Sequence, residues 1–199
     1  MRVFVAVDVG DDVRREVTRV ITMLTGKLEA VKKPPKVAWV KPAALHVTVR
    51  FLGELETADV ERIQELIAPP IPIAPFTLEW RGIGTFPNSK HPRALWLGVI
   101  NGAAPLAEVE AEVSRRLAGD AAVEIEDRAF LAHLTIGRVK MAGEGVDWPK
   151  LLQSAEVRRV TSTVDRVTMY RSVLSQYGPN YTGLVSAPLV GNNKTTNND

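Results

Sequence analysis

Residues 44–53 read "ALHVTVRFLG" and residues 130–140 read "FLAHLTIGRVK". Both hold the frame His-x-Thr-x with apolar residues at x, in a chain that contains only three histidines. Successive side chains of a strand point to opposite faces. Strict alternation therefore predicts His46, Thr48 and Arg50 on one face, with Val47, Val49 and Phe51 on the other. It gives His133 and Thr135 a common face backed by Leu134 and Ile136. Each motif is thus a half-buried strand that offers one imidazole and one hydroxyl from a rigid element. Arg138 falls on the face opposite His133 unless a bulge brings it round.

Outward from the first motif, Val3, Val5, Val7 and Val9 alternate as a strand. Val13, Val17, Ile21, Leu24 and Leu28 then recur at helical spacing from Asp11 to about Ala30. The prolines of "KKPPK" make a connector before the short strand "VAWV". "TADVERIQELIA" follows as a helix with Thr57 as N-cap and Val60, Ile63 and Ile67 inward. Before the second motif, "PFTLEWRGIGTF" and "ALWLGVI" are strands of a long hairpin around "PNSKHPR". A helix at about Ala104 to Ala118 carries Leu106, Val109, Val113 and Leu117 and stops at Gly119. A short helical piece lies near Pro149 to Ser154, and "VRRVTSTVDRVTMYRSVL" and "YTGLVSAPLV" are two late strands. No flexible linker divides the halves, so residues 1–190 are expected as one α+β unit of two fused lobes. The tail "GNNKTTNND" (191–199) is low in apolar content and reads as disordered.

With 199 residues and 45% apolar content the chain can bury a sizeable core. No window approaches the roughly 18 apolar residues of a membrane-spanning helix, and "MRVFVAVDVG" does not resemble a secretory signal, so a cytoplasmic protein without membrane partners is expected. No cysteine is present, which excludes disulfides, thiol catalysis and Cys-ligated metals. A formal charge of +2 points to no nucleic-acid coat protein. No heptad or spare apolar face is apparent, and a monomer is expected.

If the two polar faces converge, the site holds two proton-transfer groups and two hydroxyl donors. That set suits a phosphodiester: an attacking water loses a proton, a leaving oxygen gains one, and donors hold the phosphate oxygens. Histidine suits both proton steps because its ordinary pKa of about 6.5 lets one ring be neutral and the other charged near neutral pH. A metal site is disfavoured, because no carboxylate or further histidine lies within either motif. His91 sits in a Pro-flanked loop and reads as solvated, and Phe130 and Trp39 read as core rather than nucleobase platforms.

The paired motifs resemble the two-histidine (2H) phosphoesterase superfamily, and the wider pattern resembles its RNA 2′,3′-cyclic phosphodiesterase branch, also called the 2′-5′ RNA ligase family. The resemblance covers nearly the whole chain through "RVFVAVDV", "WVKPAALHVTVRFLGEL", "GIGTFPNSKHPRALWLGV", "FLAHLTIGRVK" and "VTMYRSVLSQYGPNYTGL". It implies a bilobal α+β fold of two pseudo-symmetric lobes, each an antiparallel sheet flanked by helices, with the active-site cleft between them. It also implies cofactor-free, metal-independent hydrolysis of an RNA 2′,3′-cyclic phosphate to a 2′-phosphate. His46 is then the proton donor and His133 the proton acceptor, an assignment the family suggests and the residues alone leave reversible. The resemblance implies that Thr48 and Thr135 hold the non-bridging oxygens and that Tyr181 and Ser172 line the cleft. Arg138, which matches a family arginine, is either a further phosphate ligand or part of a structural salt bridge. Arg50, by its strand parity, is a further candidate phosphate ligand or a solvated side chain. The family usually has Pro before the second histidine where this chain has Ala132. Two rival readings remain: 2′-5′ ligation as the main direction, and an RNA-binding module without chemistry, which would place aromatics on the open sheet faces. A small cyclic nucleotide is a third substrate class.

Overall fold

Val3, Val5 and Val7 alternate with Phe4 and Ala6 in strand β1 (Arg2–Asp8), which is buried on both faces. The computed structural model describes residues 1–124, 128–176 and 178–191, so most of the expected tail, 192–199, lies outside the described residues. After β1 come α1 (Asp11–Glu29), β2 (Lys36–Trp39), a 3-10 turn (Pro42–Ala44), β3 (His46–Glu54) and α2 (Thr57–Ile67). The second half runs β4 (Phe76–Phe86), β5 (Ala94–Asn101), α3 (Ala103–Leu117), β6 (His133–Met141), α4 (Trp148–Gln153), β7 (Val160–Val164), β8 (Arg166–Ser175) and β9 (Gly178–Pro188).

The strands form two antiparallel sheets, one in the order β3-β1-β8-β9 and one in the order β2-β6-β5-β4-β7. Two of the helices cross between them. α1, which leaves the four-stranded sheet, packs on β7 of the five-stranded one, while α3, which leaves the five-stranded sheet, packs on β3. Their apolar stripes, Val13, Val17, Val20 and Leu24 on α1 and Leu106, Val109 and Val113 on α3, are fully buried. Among the described residues no helix is long and apolar enough to cross a membrane.

Two expectations are corrected. The stretch "VRRVTSTVDRVTMYRSVL" is two strands in different sheets, β7 and β8, with a bend at Asp165. The Asp165 carbonyl there accepts the Leu189 N–H at 2.7 Å, and its carboxylate takes Arg166 at 3.0 Å. Helix α2 has Glu56, with extended backbone and no side-chain cap, where Thr57 is expected, and Thr57 is its first helical residue.

Two bulges position the site. In β3, Val5 faces Arg50 and Ala6 faces Thr48, leaving Val49 without a partner. In β6, Leu95 faces Gly137 and Trp96 faces Thr135, leaving Ile136 without one. Both strands thus place two consecutive residues inward, Val49 with Arg50 and Ile136 with Gly137, and all four are buried. The extra residue reverses the parity beyond it. Phe51 and Arg138, three residues past each threonine, therefore return to the histidine faces.

Candidate active site

His46 and His133 each begin a strand and use the same anchor. The His46 Nδ1 lies 2.9 Å from the Ala44 carbonyl and the His133 Nδ1 lies 2.8 Å from the Leu131 carbonyl. A carbonyl only accepts, so Nδ1 carries the proton in both rings and Nε2 is left for chemistry. Strands β3 and β6 pack against each other across the two sheets. Thr48 and Thr135 follow on the same faces, half-buried like the histidines.

Aromatic rings wall each imidazole. His46 lies 4.8 Å from Phe4 and 5.1 Å from the edge-on ring of Tyr181, while His133 stands edge-on to Phe86 at 5.0 Å and lies 6.1 Å from Trp96. A Cβ on Gly84 would overlap the Trp96 ring, so that position leaves the ring its place beneath His133. Asp8 is the direct partner of His46 in the β1–β3 ladder and accepts the Tyr170 hydroxyl at 2.9 Å. Phe51 is exposed, and the Arg2 guanidinium lies 5.0 Å from its ring centroid.

Burial pushes the His46 imidazole below its ordinary pKa. The Ala44 carbonyl and the Asp8 carboxylate oppose that shift, while the charges of Arg138 and His133 add to it. Two side chains of the five-stranded sheet thus act on a ring of the four-stranded one. Tyr170 is pushed up to about 12 by burial and by its bond to Asp8, and burial raises Tyr181.

Of the residues expected from sequence, the structure brings His46, Thr48, His133, Thr135, Arg138 and Tyr181 together. Arg138 is on the histidine face because of the β6 bulge, and Ser172, the ladder partner of both Arg2 and Tyr181, is on the open face of the four-stranded sheet. Arg50 is a correction. The β3 bulge turns it inward, where Nη2 donates to the Glu124 carbonyl at 2.8 Å and Nη1 lies 3.8 Å from Glu110 of α3. It is buried with these partners rather than on the histidine face where strict alternation puts it. Trp39 and Phe130 pack against the core, and His91 is exposed in a loop where its N–H and that of Lys90 donate to the Asn88 side chain. Sequence alone does not single out Phe4, Asp8, Phe51, Phe86, Trp96 and Tyr170, because only the ladder registers show that they share a face with the histidines. The open faces therefore carry aromatics beside His and Thr, and aromatics there no longer separate a binding module from an enzyme. Among the described residues no group of three or more His, Asp or Glu is placed to hold a metal ion.

The sequence matches the profile of the 2′-5′ RNA ligase superfamily over residues 12–175. A Thermotoga maritima protein named RNA 2′,3′-cyclic phosphodiesterase is 30% identical over 192 residues, covering 96% of this chain and 97% of that protein. One of the same name from Archaeoglobus fulgidus is 37% identical over 146 residues, covering 70% and 73%. Among solved structures, one from Thermus thermophilus matches with a TM-score of 0.68 at 26% identity, over 96% of this chain and 100% of that one. E. coli LigT complexed with 3′-AMP shares the fold, with a TM-score of 0.66 at 22% identity over 95% and 98%.

Proposed function

The chain belongs to the 2′-5′ RNA ligase superfamily, and on that premise we propose that it hydrolyses the 2′,3′-cyclic phosphate at the end of an RNA, leaving a 2′-phosphate and a 3′-hydroxyl. One observation carries the reading. Two imidazoles on adjoining strands are held by the same Nδ1-to-carbonyl bond, each followed by a threonine on its own face. His133 takes a proton from water as the water oxygen bonds to phosphorus, the bond from phosphorus to the 3′ oxygen breaks, and His46 protonates that oxygen. Thr48, Thr135 and Arg138 hold the non-bridging oxygens as negative charge builds on them. Tyr181 and Ser172 line the cleft. None of these steps draws on a metal or cofactor.

The test is an oligoribonucleotide ending in a 2′,3′-cyclic phosphate, incubated with excess EDTA. The parent protein is expected to open the ring to a 2′-phosphate, and His46→Ala and His133→Ala each to lose about 10² to 10⁴ in rate. A folded parent that binds the oligonucleotide and leaves the ring closed would overturn the reading in favour of an RNA-binding module.

A further inference from the structure

The histidine face of β6 does not end at Arg138. In the β2–β6 ladder Ala38 faces Arg138, Val37 faces Val139 and Lys36 faces Met141, so Lys140 is the extra residue of a further irregularity in β6. Val37 and Val139 turn toward the core, whereas Lys36, Arg138 and Lys140 are exposed. The order His133, Thr135, Arg138, Lys140, with Lys36 alongside, is a row that starts at an imidazole and runs out along one strand. None of the three cations has an ion-pair partner among the described residues. Glu144, the next acid along the chain, is held by Lys33 at 2.6 Å. On the helices the pattern is the reverse: Arg19, Arg62, Arg115 and Arg116 each hold a carboxylate.

We propose that Lys36 and Lys140 carry the ribose-phosphate backbone of the RNA strand that leads into the cyclic end, extending the phosphate-holding row beyond Arg138. Lysines on an edge strand also deter strand addition, and β2 is an edge. That role covers Lys36 and, past the end of the β5–β6 ladder at Arg138, could reach Lys140 as well, but it does not require Lys140 to continue the row that starts at His133 on the face of the catalytic pair. Two residues of strand advance about 7 Å, so Arg138 and Lys140 can meet separate phosphates. On the four-stranded sheet, exposed Phe51 shares the face of His46, and with Arg2 at its ring it offers bases a stacking surface. A row of cations for the backbone and exposed aromatic faces for bases are what single-stranded RNA requires.

The proposal rests on the phosphodiesterase reading, and its test separates the two. The parent protein and Lys36→Ser/Lys140→Ser are compared on a mononucleoside 2′,3′-cyclic phosphate and on an oligoribonucleotide with the same end. The double variant is expected to keep its kcat/KM on the mononucleotide, which also shows that it folds, and to lose several-fold on the oligonucleotide. The slope of log kcat/KM against log salt for the oligonucleotide should become shallower by roughly 1 to 1.5, since each single-strand phosphate contact is worth about 0.7. Equal loss on both substrates, or an unchanged slope, overturns the proposal. An oligoribonucleotide ending in a 2′-phosphate is titrated in parallel by fluorescence anisotropy. Lysine-dependent, salt-dependent binding of that product by a parent that turns over neither cyclic substrate would overturn the reaction and uphold the row.

Discussion

In the proposed reaction His46 gives up a proton from a place that favours its neutral form. Burial and the charges of Arg138 and His133 lower its pKa, and the Asp8 carboxylate works against them. An anionic phosphate bound against the ring would add a second negative charge on the side of the imidazolium. Asp8 is thus a positioning residue for protonation, and Asp8→Asn tests both this role and the direction of proton flow. Removing the carboxylate charge lowers the His46 pKa further, so the imidazolium persists only to a lower pH. If His46 is the donor, the basic limb of the kcat/KM profile moves to lower pH while the acidic limb stays. If His46 is the acceptor, the acidic limb moves instead, and the assignment is reversed. A profile in which neither limb moves would remove Asp8 from the machinery. The histidines and threonines are legible because a period of two is a local signal and the His-x-Thr frame takes up two of only three histidines. Asp8 and Phe4 are not, since their relation to His46 exists only through pairing between β1 and β3.

At the scale of the element, the bulges exchange the fates of two arginines. Strict alternation puts Arg50 in the site and leaves Arg138 out, and one extra residue in each strand reverses both. Arg50→Ala removes a buried guanidinium bonded to the Glu124 carbonyl and beside Glu110. It should cost about 1–3 kcal/mol of stability, which lowers Tm by roughly 3–10 °C in a chain of this size, with kcat/KM little changed. Arg138→Ala touches an exposed side chain, so stability should stay within about 0.5 kcal/mol while kcat/KM falls about 10- to 100-fold. Thermal unfolding and steady-state kinetics on the two variants read both effects. Comparable losses of kcat/KM in both folded variants would return Arg50 to the site. The same non-local limit explains the division between β7 and β8. The apolar positions change parity across Asp165 and Arg166, from Val160 and Val164 to Val167 and Met169. Such a shift fits a bulge within one strand as well as a change of sheet, and membership of one sheet or the other is settled by partners far along the chain. The helix stripes, whose period is self-contained, fall where the sequence puts them.

At the scale of the molecule, two helices tie the lobes together: α1, which follows β1, packs on β7, and α3, which follows β5, packs on β3. α1 is tied to the segment after α4, with Glu16 accepting the Arg158 N–H at 2.7 Å and Arg19 donating to the Glu156 carbonyl at 2.7 Å. α3 meets β3 through its apolar stripe and Glu110. Unfolding either sheet alone would leave one of these helices with its apolar face in water. The lobes are therefore expected to unfold in one cooperative step. The chain supplies its own probe, because all four tryptophans, Trp39, Trp80, Trp96 and Trp148, lie on β2, β4, β5 and α4 of the five-stranded lobe. In urea, tryptophan emission follows that lobe, while far-UV circular dichroism follows both. Coincident midpoints and a single m-value are the expected result, and two separated transitions would show lobes that fold independently. A nucleotide with a 2′-phosphate, bound in the cleft, contacts both sheets in the proposed reaction. At about 100 times its Kd it should add roughly 2.7 kcal/mol and move both probes together. If it shifted the dichroism and left the tryptophan transition in place, the ligand would be resting on the four-stranded lobe alone, and His133 and Arg138 would have no part in holding it.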